Sequence, residues 1–139
     1  MPLAETKAAF MSSPHFAVVG ASKDENKVGT KVLKWYQKRS RDVVPVHPKE
    51  AELEGLTTIK SLHELKDPSH TSVSVITPAK VTIEVLKAAK QLNVPAVWCQ
   101  PGTTDEACET FIKENQMSEK VIFGGPCVLV VGDSILASL

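Results

Sequence analysis

The chain has 139 residues, of which 42% are hydrophobic and 23% are charged. This is ordinary usage for a globular protein and argues against intrinsic disorder and coiled coil. The length corresponds to one domain, so we expect a single domain over residues 1–139. The 16 basic and 16 acidic residues balance, whereas proteins that bind nucleic acid through its phosphates usually carry a basic excess. The composition therefore predicts no nucleic-acid partner.

The cysteines and the apolar runs indicate where such a protein would reside. Cysteines at positions 99, 108 and 127 fit neither a disulfide framework nor a zinc pattern. We interpret them as reduced thiols, which predicts a cytoplasmic protein. The first 20 residues contain charged side chains and no apolar stretch typical of a secretory signal. The longest apolar run, Cys127 to Val131, is too short to cross a bilayer, so no membrane partner is expected.

The first half of the chain alternates short apolar runs with apolar residues at helical spacing. The predicted elements, in chain order, are a short helix over residues 4–12, a strand over 16–19, a helix over 28–36, a strand over 43–46 and one helical turn over 61–65. Gly20 ends the first of these strands and Pro48 stops the second.

The second half continues the alternation. The predicted elements are a strand over residues 73–76, a helix ending at Leu92, a strand over 94–99, a helix opened by a capping box at Thr103 and Glu106, and a strand over 121–123. The first of these helices would be capped by Thr77, with Pro78 at its first position and Val81 and Val85 on its inner face. Residues 127–139 would form another strand or a docking tail.

Apolar strands separated by helices predict an α/β fold, with a three-layer, Rossmann-like parallel sheet of about five strands. We favour the strand order 3-2-1-4-5. A flavodoxin-like order 2-1-3-4-5 suits five strands equally well, and the sequence does not separate the two.

Ligands of such sheets bind beyond the carboxyl ends of the strands, and the loop after the first predicted strand has the most informative sequence. Gly20-Ala21-Ser22 ends the strand, and Lys27-Val28-Gly29-Thr30 opens the helix. The N–H groups and dipole of a helix N-terminus favour an anion, Lys27 adds a charge, and Ser22 and Thr30 add hydroxyl groups. The alternative is a tight turn in which Gly29 only packs the helix against the strand.

The end of the second strand bears on the type of nucleotide. An NAD site has Asp or Glu at this point to bind the ribose, but this chain has His47-Pro48-Lys49. A cation here favours a ligand with an extra phosphate on its adenosine ribose, which is NADP or coenzyme A. The alternative is that Lys49 is an ordinary solvated lysine.

Five short motifs occur in the order found in a known family. They are Phe16–Ser22, Lys27-x-Gly29, Val44–Lys49, Val75-x-x-Pro78 and Trp98-x-Gln100-x-Gly102. With Gly55 and Ser61-Leu62, they make residues 14–128 resemble the stand-alone CoA-binding domain family. That family is similar to the N-terminal Rossmann-like domain of the succinyl-CoA synthetase alpha subunit.

The resemblance implies that coenzyme A, or an acyl-CoA, binds in the crevice at the strand ends. The residues it implicates are Gly20, Ala21, Ser22, Lys27 and Gly29 in a phosphate loop, His47, Pro48 and Lys49 at the second strand end, Thr77 and Pro78 at the adenosine wall, and Gln100 and Gly102 in a Gln-x-Gly turn. The chain departs from the family at His47, where Asn is usual, and at Pro126, where Arg is frequent. These departures affect one side-chain hydrogen bond and one anion contact.

The resemblance also limits the expected function. In the synthetases, the chemistry needs a phosphorylated histidine on a further domain and a nucleotide-grasp subunit, for which this chain is too short. None of the histidines at positions 15, 47, 63 and 70 has a convincing catalytic setting. We expect a protein without catalysis of its own that acts as a sensor, a carrier or a partner subunit, with a protein partner or as a homo-oligomer.

Two other functions fit the sequence, an NADP-dependent oxidoreductase and an interaction module with a vestigial crevice. A more specific hypothesis concerns Cys99 and Cys127, which lie near two strand ends. A thiol there could form a mixed disulfide with the ligand or accept an acyl group. The alternative is that the cysteines pack as small apolar residues.

Overall fold

The computed structural model describes residues 3–139, which form seven strands, five α-helices and two 3₁₀ turns. The strands are β1 (His15–Val19), β2 (Asp42–Val46), β3 (Glu52–Leu53), β4 (Leu56–Thr57), β5 (Thr71–Val75), β6 (Ala96–Cys99) and β7 (Val121–Ile122). The helices are α1 (Leu3–Met11), α2 (Val28–Lys38), α3 (Ala79–Gln91), α4 (Glu106–Glu114) and α5 (Val128–Ala137), and the 3₁₀ turns are Leu62–Glu64 and Pro68–His70.

Five strands form a parallel sheet in the order β2-β1-β5-β6-β7, with β3 and β4 as a separate antiparallel hairpin. The α/β class and the five-stranded parallel sheet with helices on both sides are confirmed. The predicted order 3-2-1-4-5 is wrong: counted along the chain, the sheet strands lie in the order 2-1-3-4-5.

The segment between β2 and β5 explains this difference. It contains no α-helix, only the hairpin and the two 3₁₀ turns. Ile59 occupies the outer edge of β2 through a single parallel bridge to Val46, in which it accepts from the His47 N–H at 2.9 Å. The outer position is therefore filled by one residue, and the next full strand, β5, pairs with β1 instead.

Side chains alternate between the two faces of the sheet and build two hydrophobic clusters. The aliphatic face consists mainly of Ala17, Val19, Val73, Val75 and Val97, covered by α3 and α4. The aromatic face is built around Phe10, Phe16, Trp35, Tyr36 and Trp98, with α1, α2 and α5 packed on it. The rings contact one another directly, since the Phe16 and Tyr36 centroids lie 4.8 Å apart in a stacked arrangement.

Three helices begin differently from the prediction. Pro78, not Thr77, is the N-cap residue of α3. The cap of α4 is Asp105, whose carboxylate accepts from the Cys108 N–H at 2.9 Å, so the capping box of Thr103 and Glu106 does not form. The segment predicted as a strand or docking tail forms α5, which packs against α1 and α2. Within the described residues, no helix is both long enough and apolar enough to span a membrane.

Candidate functional site

The five parallel strands end at one edge of the sheet, which we call the crevice edge. The loops that follow them span residues 20–27, 47–51, 76–78, 100–105 and 123–127. All the predicted site residues except Gly29 lie in these loops, and Gly29 lies in the first turn of α2. The direction in which the strands are added reverses between β1 and β5. Such a reversal is where open α/β sheets form their ligand crevices.

The first loop and the first turn of α2 pack too closely to admit a side chain at Gly20 or at Gly29. Gly20 has a φ of +119°, and a Cβ there would lie 2.0 Å from the carbonyl oxygen of Ile76. A Cβ on Gly29 would lie 2.2 Å from the carbonyl oxygen of Gly20. Helix α2 therefore rests directly on the loop backbone, and Gly29 permits this close packing.

Thr30 ties the first loop to α2 from the inside. Its buried hydroxyl donates to the Ser22 carbonyl at 2.8 Å and accepts from the Ser22 N–H at 3.1 Å. The Ser22 hydroxyl accepts from the Asp24 N–H at 3.1 Å and keeps its own proton for another partner. Of the two hydroxyls that the sequence offered to an anion, only that of Ser22 is available, because Thr30 is engaged within the loop.

Helix α2 begins without a side-chain cap. Lys27 occupies the N-cap position with no side-chain hydrogen bond, and the first turn contains no acidic residue. The Lys27 side chain is exposed and makes no ion pair with another described residue. Unpaired N–H groups, the positive end of the helix dipole and a nearby ammonium group all favour an anion here.

His47 supports the second loop. Its Nδ1 accepts from the N–H groups of Lys49, at 3.0 Å, and Glu50, at 2.9 Å, so the ring proton lies on Nε2. An asparagine side chain can make the same kind of turn, and the departure from the family at this position therefore preserves the hydrogen bonding. The Lys49 side chain is exposed, without an ion pair among the described residues.

An apolar groove of about 370 Å³ opens between the second loop, the first 3₁₀ turn and α3, a volume within the range of small-molecule sites. Its apolar lining includes Val46, Pro48, Leu62, Val81 and Val85. The sequence predicted that Val81 would face the core, but it is 46% exposed. Thr77, which precedes α3, shares a hydrogen bond of 2.8 Å with the Thr82 hydroxyl and braces the start of that helix.

A family model described as a CoA binding domain matches residues 14–133, which include all five loops of the crevice edge. The chain belongs to this CoA-binding domain family. The uncharacterized protein YneT of Bacillus subtilis is 28% identical over 111 residues, which are 80% of this chain and 82% of YneT.

Solved structures share the fold of this CoA-binding domain. A conserved hypothetical protein from Pyrococcus furiosus is 33% identical, with a TM-score of 0.74 over 84% of this chain and 97% of that one. A Thermus thermophilus protein is 26% identical, with a TM-score of 0.80 over 97% and 99%. The dinucleotide-forming acetyl-coenzyme A synthetase 1 of Ca. Korarchaeum cryptofilum is similar in fold, at 23% identity and a TM-score of 0.64, over 81% of this chain and 25% of that enzyme.

Gln100 joins the fourth and fifth loops of the CoA-binding domain. It is buried; its Nε2 donates to the Cys127 Sγ at 3.2 Å, and its Oε1 accepts from the Val128 N–H at 2.9 Å. Its side-chain amide is therefore engaged inside the protein, where it positions Cys127 and the start of α5. Gly102, two residues further on, has a φ of +83°, and a Cβ there would meet no atom within 4 Å.

The three thiols of the CoA-binding domain differ in access. Cys99 and Cys108 are fully buried, and burial raises the pKa of the Cys99 thiol to about 12. Cys127 is the last residue of the fifth loop and is partly exposed. The apolar-packing interpretation therefore describes Cys99 and Cys108, and Cys127 is the partly exposed residue of the three.

The other histidines lie away from the crevice edge or on the protein surface. His15 pairs with Asp42 at 2.6 Å at the opposite ends of the strands, and His70 pairs with Asp67 at 2.9 Å. His63 is exposed, contacts Gln91 and lies in the lining of the apolar groove. Within residues 3–139, no group of three or more His, Cys, Asp or Glu side chains could hold a metal ion.

Sequence reasoning missed the groove walls and the internal role of Thr30. The apolar residues on α3 could have indicated the groove. A helix that lines a groove carries apolar residues there in addition to those that pack into the core. Val81 and Val85 follow that pattern, and only the position of the 3₁₀ turn at Leu62 reveals which side of α3 faces the groove.

Proposed function

We propose that this protein, as a single domain, binds coenzyme A or an acyl-CoA in the crevice at the carboxyl ends of its strands. The uncapped N-terminus of α2, with Lys27 at its start, is the observation that carries the proposal. It offers free N–H donors and positive charge to the diphosphate of the ligand. Membership of the CoA-binding domain family supports this choice of ligand.

The neighbouring surfaces suit the remaining parts of the ligand. The groove beside Pro48, Leu62 and Val81 is apolar and would shelter the adenine ring. Lys49 is exposed at the strand end next to it, within reach of a phosphate on the ribose. The pantetheine arm would then extend toward the fourth and fifth loops, where Cys127 lies.

The role that follows is that of a sensor, a carrier or a partner subunit rather than of an enzyme. Binding engages the α2 N-terminus and the groove, and it needs no residue that makes or breaks a covalent bond. Three free thiols suit a reducing compartment, so we place the protein in the cytoplasm. A protein partner or a second copy of the chain would read out the bound state.

Thermal unfolding with added nucleotides tests the ligand. A ligand that binds only the folded state stabilises it by about 2.7 kcal/mol at a hundredfold excess over its Kd, so coenzyme A is expected to raise the Tm. A rise with NADPH and none with coenzyme A would favour an oxidoreductase. No shift with either would favour an interaction module with a vestigial crevice.

Lys49→Ala tests the position of the adenosine phosphate. A charge-assisted contact to the 3′-phosphate makes the variant bind coenzyme A about tenfold more weakly, with a much smaller loss for dephospho-CoA. Lys66→Ala removes another exposed lysine, beside the opposite edge of the sheet, and serves as the control by calorimetric titration. Equal losses for both ligands would place Lys49 away from the 3′-phosphate.

A further inference from the structure

An ion pair connects the first and second loops of the crevice edge. Lys23 Nζ lies 3.3 Å from Glu50 Oε1, with 73% of the lysine side chain and 31% of the glutamate side chain exposed. The pair joins the loop after β1 to the loop after β2, and these two strands are neighbours in the sheet. It therefore lies on the side of the crevice to which the proposed function assigns the adenosine phosphate.

The two partners differ in how firmly they are held. The Glu50 backbone is anchored at both ends, because its N–H donates to His47 Nδ1 at 2.9 Å and its carbonyl accepts from the Thr58 hydroxyl. Lys23 lies in an exposed loop, and Glu50 is its partner among the described residues. The lysine is consequently the member that can move to another anion while the glutamate stays in place.

The state of Lys23 also differs from that of the other cations beside the crevice. Lys27 and Lys49 make no ion pair with a described residue, so both can meet an anion without breaking a contact. Lys23 must first leave Glu50. The Glu50 carboxylate, one residue after Lys49, also repels any anion that approaches the second loop.

We propose that Lys23 is a second cation for the 3′-phosphate of the ligand, and that Glu50 holds it back in the free protein. This inference rests on the proposed function, because it assumes that coenzyme A occupies the crevice. A phosphate monoester carries up to two negative charges and displaces a carboxylate with one. A ligand without the 3′-phosphate keeps only its diphosphate, which the proposed function places at the α2 N-terminus beside Lys27, so no phosphate is left to compete with Glu50 for Lys23. Lys23 and Glu50 thus determine selectivity for a phosphorylated ribose.

Calorimetric titration of Lys23→Ala and Glu50→Gln with coenzyme A and dephospho-CoA tests this exchange. Glu50→Gln releases Lys23 and is expected to tighten coenzyme A about two- to fivefold, which is the scale of an exposed ion pair. Lys23→Ala is expected to weaken coenzyme A by a similar factor. Dephospho-CoA changes much less in both variants. The Glu50→Gln variant keeps the backbone hydrogen bonds of the loop, because these do not involve the side chain.

Glu54→Gln is the matched control, because it makes the same change of net charge nearby. Glu54 pairs with Lys34 at 3.6 Å, not with Lys23. Its effect on coenzyme A is expected to be small, and the difference between the two Glu→Gln variants isolates the local effect. In the double variant Lys23→Ala/Glu50→Gln, the gain from Glu50→Gln shrinks, as a double-mutant cycle requires for a coupled pair. High salt also reduces that gain.

Four results would overturn the inference. Weaker binding of both ligands by Glu50→Gln would mean that Glu50 contacts the ribose instead. Equal changes in coenzyme A affinity in Glu50→Gln and Glu54→Gln would mean that the change of net charge alone causes them. If the wild-type protein binds coenzyme A and neither single variant changes its affinity, the exchange fails while the proposed function stands. If the wild-type protein does not bind coenzyme A, both fail together.

Discussion

The two faces of the sheet have different composition and different relations to the crevice. The aromatic face contains five large aromatic side chains, two of which make hydrogen bonds through their polar atoms. Tyr36 Oη shares a buried hydrogen bond of 2.7 Å with Ser74, and Trp98 Nε1 donates to the Pro126 carbonyl at 3.0 Å. The fully buried part of the aliphatic face contains no ring. Its α3 side instead opens into the groove beside Val81.

The aromatic face thus supplies packing and specific hydrogen bonds to the loops of the crevice edge, whereas the aliphatic face supplies the groove. Aromatic side chains bury large areas with few rotatable bonds and keep a polar group for a specific contact. On the aromatic face these contacts reach the fifth loop through Trp98 and the first loop through α2, which rests on Gly20. Smaller aliphatic side chains leave space at the groove, where a ligand ring can complete the packing.

The largest expected effect concerns the two thiols at the crevice edge. Cys99 is fully buried, which keeps iodoacetamide from its sulfur, and burial raises the pKa of its thiol to about 12, so its alkylation at mildly alkaline pH is expected to be at least about a thousandfold slower than for a free cysteine. At pH values below that pKa, the alkylation rate increases about tenfold for each unit by which the pH is raised. Peptide mapping over time is expected to find Cys127 labelled first. Equal labelling of both would mean that the aliphatic face opens in solution.

Substitutions at two adjacent residues of β6, one on each face, allow a direct comparison of the two faces. Trp98 lies on the aromatic face and Val97 on the aliphatic face, and both are buried. Trp98→Ala is expected to lower the free energy of unfolding by about 3–5 kcal/mol, and Val97→Ala by about 2 kcal/mol. Denaturant unfolding measures both. Hydrogen exchange in residues 124–127 should rise only in the Trp98 variant, because only Trp98 bonds to Pro126. Faster hydrogen exchange in both variants would mean that the aromatic face makes no specific contribution to holding the fifth loop.

Gly29→Ala tests the contact between α2 and the first loop. The new Cβ would collide with the Gly20 carbonyl, so the loop must shift, with a loss of about 1–3 kcal/mol in stability and weaker binding of coenzyme A. Gly55→Ala is the control. Gly55 has open space but a φ of +79°, so the cost is about 1 kcal/mol without any loss of affinity. Wild-type affinity in folded Gly29→Ala protein would contradict the assignment of the first loop to the phosphates.

Val81→Ala has the smallest expected effect on stability. The side chain is 46% exposed, so the free energy of unfolding should change by less than about 0.5 kcal/mol. Loss of apolar contact with an adenine ring would weaken coenzyme A about fivefold. Val130→Ala, at a position that is 80% exposed on α5, serves as the control. An unchanged affinity in the Val81 variant would mean that the adenine ring binds outside the groove.

Much of the candidate site was predictable because strand ends can be recognised from local sequence. An apolar run that ends in Gly20 or before Pro48 locates a loop, and parallel strands bring such loops to one edge. The hydrogen bonds of His47 and Gln100 were not predictable, because their partners depend on the path of the loops. The groove at Val81 depends on the 3₁₀ turn around Leu62, which is distant in sequence.

The amino-acid sequence by itself determined the alternation of strands and helices, the α/β class and the family, because each depends on local apolar periodicity or on short motifs read in order. Tertiary structure decided the strand order, since five similar apolar strands can pair in more than one way. Here a single bridge at Ile59 fills the outer position and directs β5 to the other side of β1. It also decided which polar groups remain available at the crevice edge, because the Thr30 hydroxyl already donates its one proton to the Ser22 carbonyl and the Gln100 amide is buried.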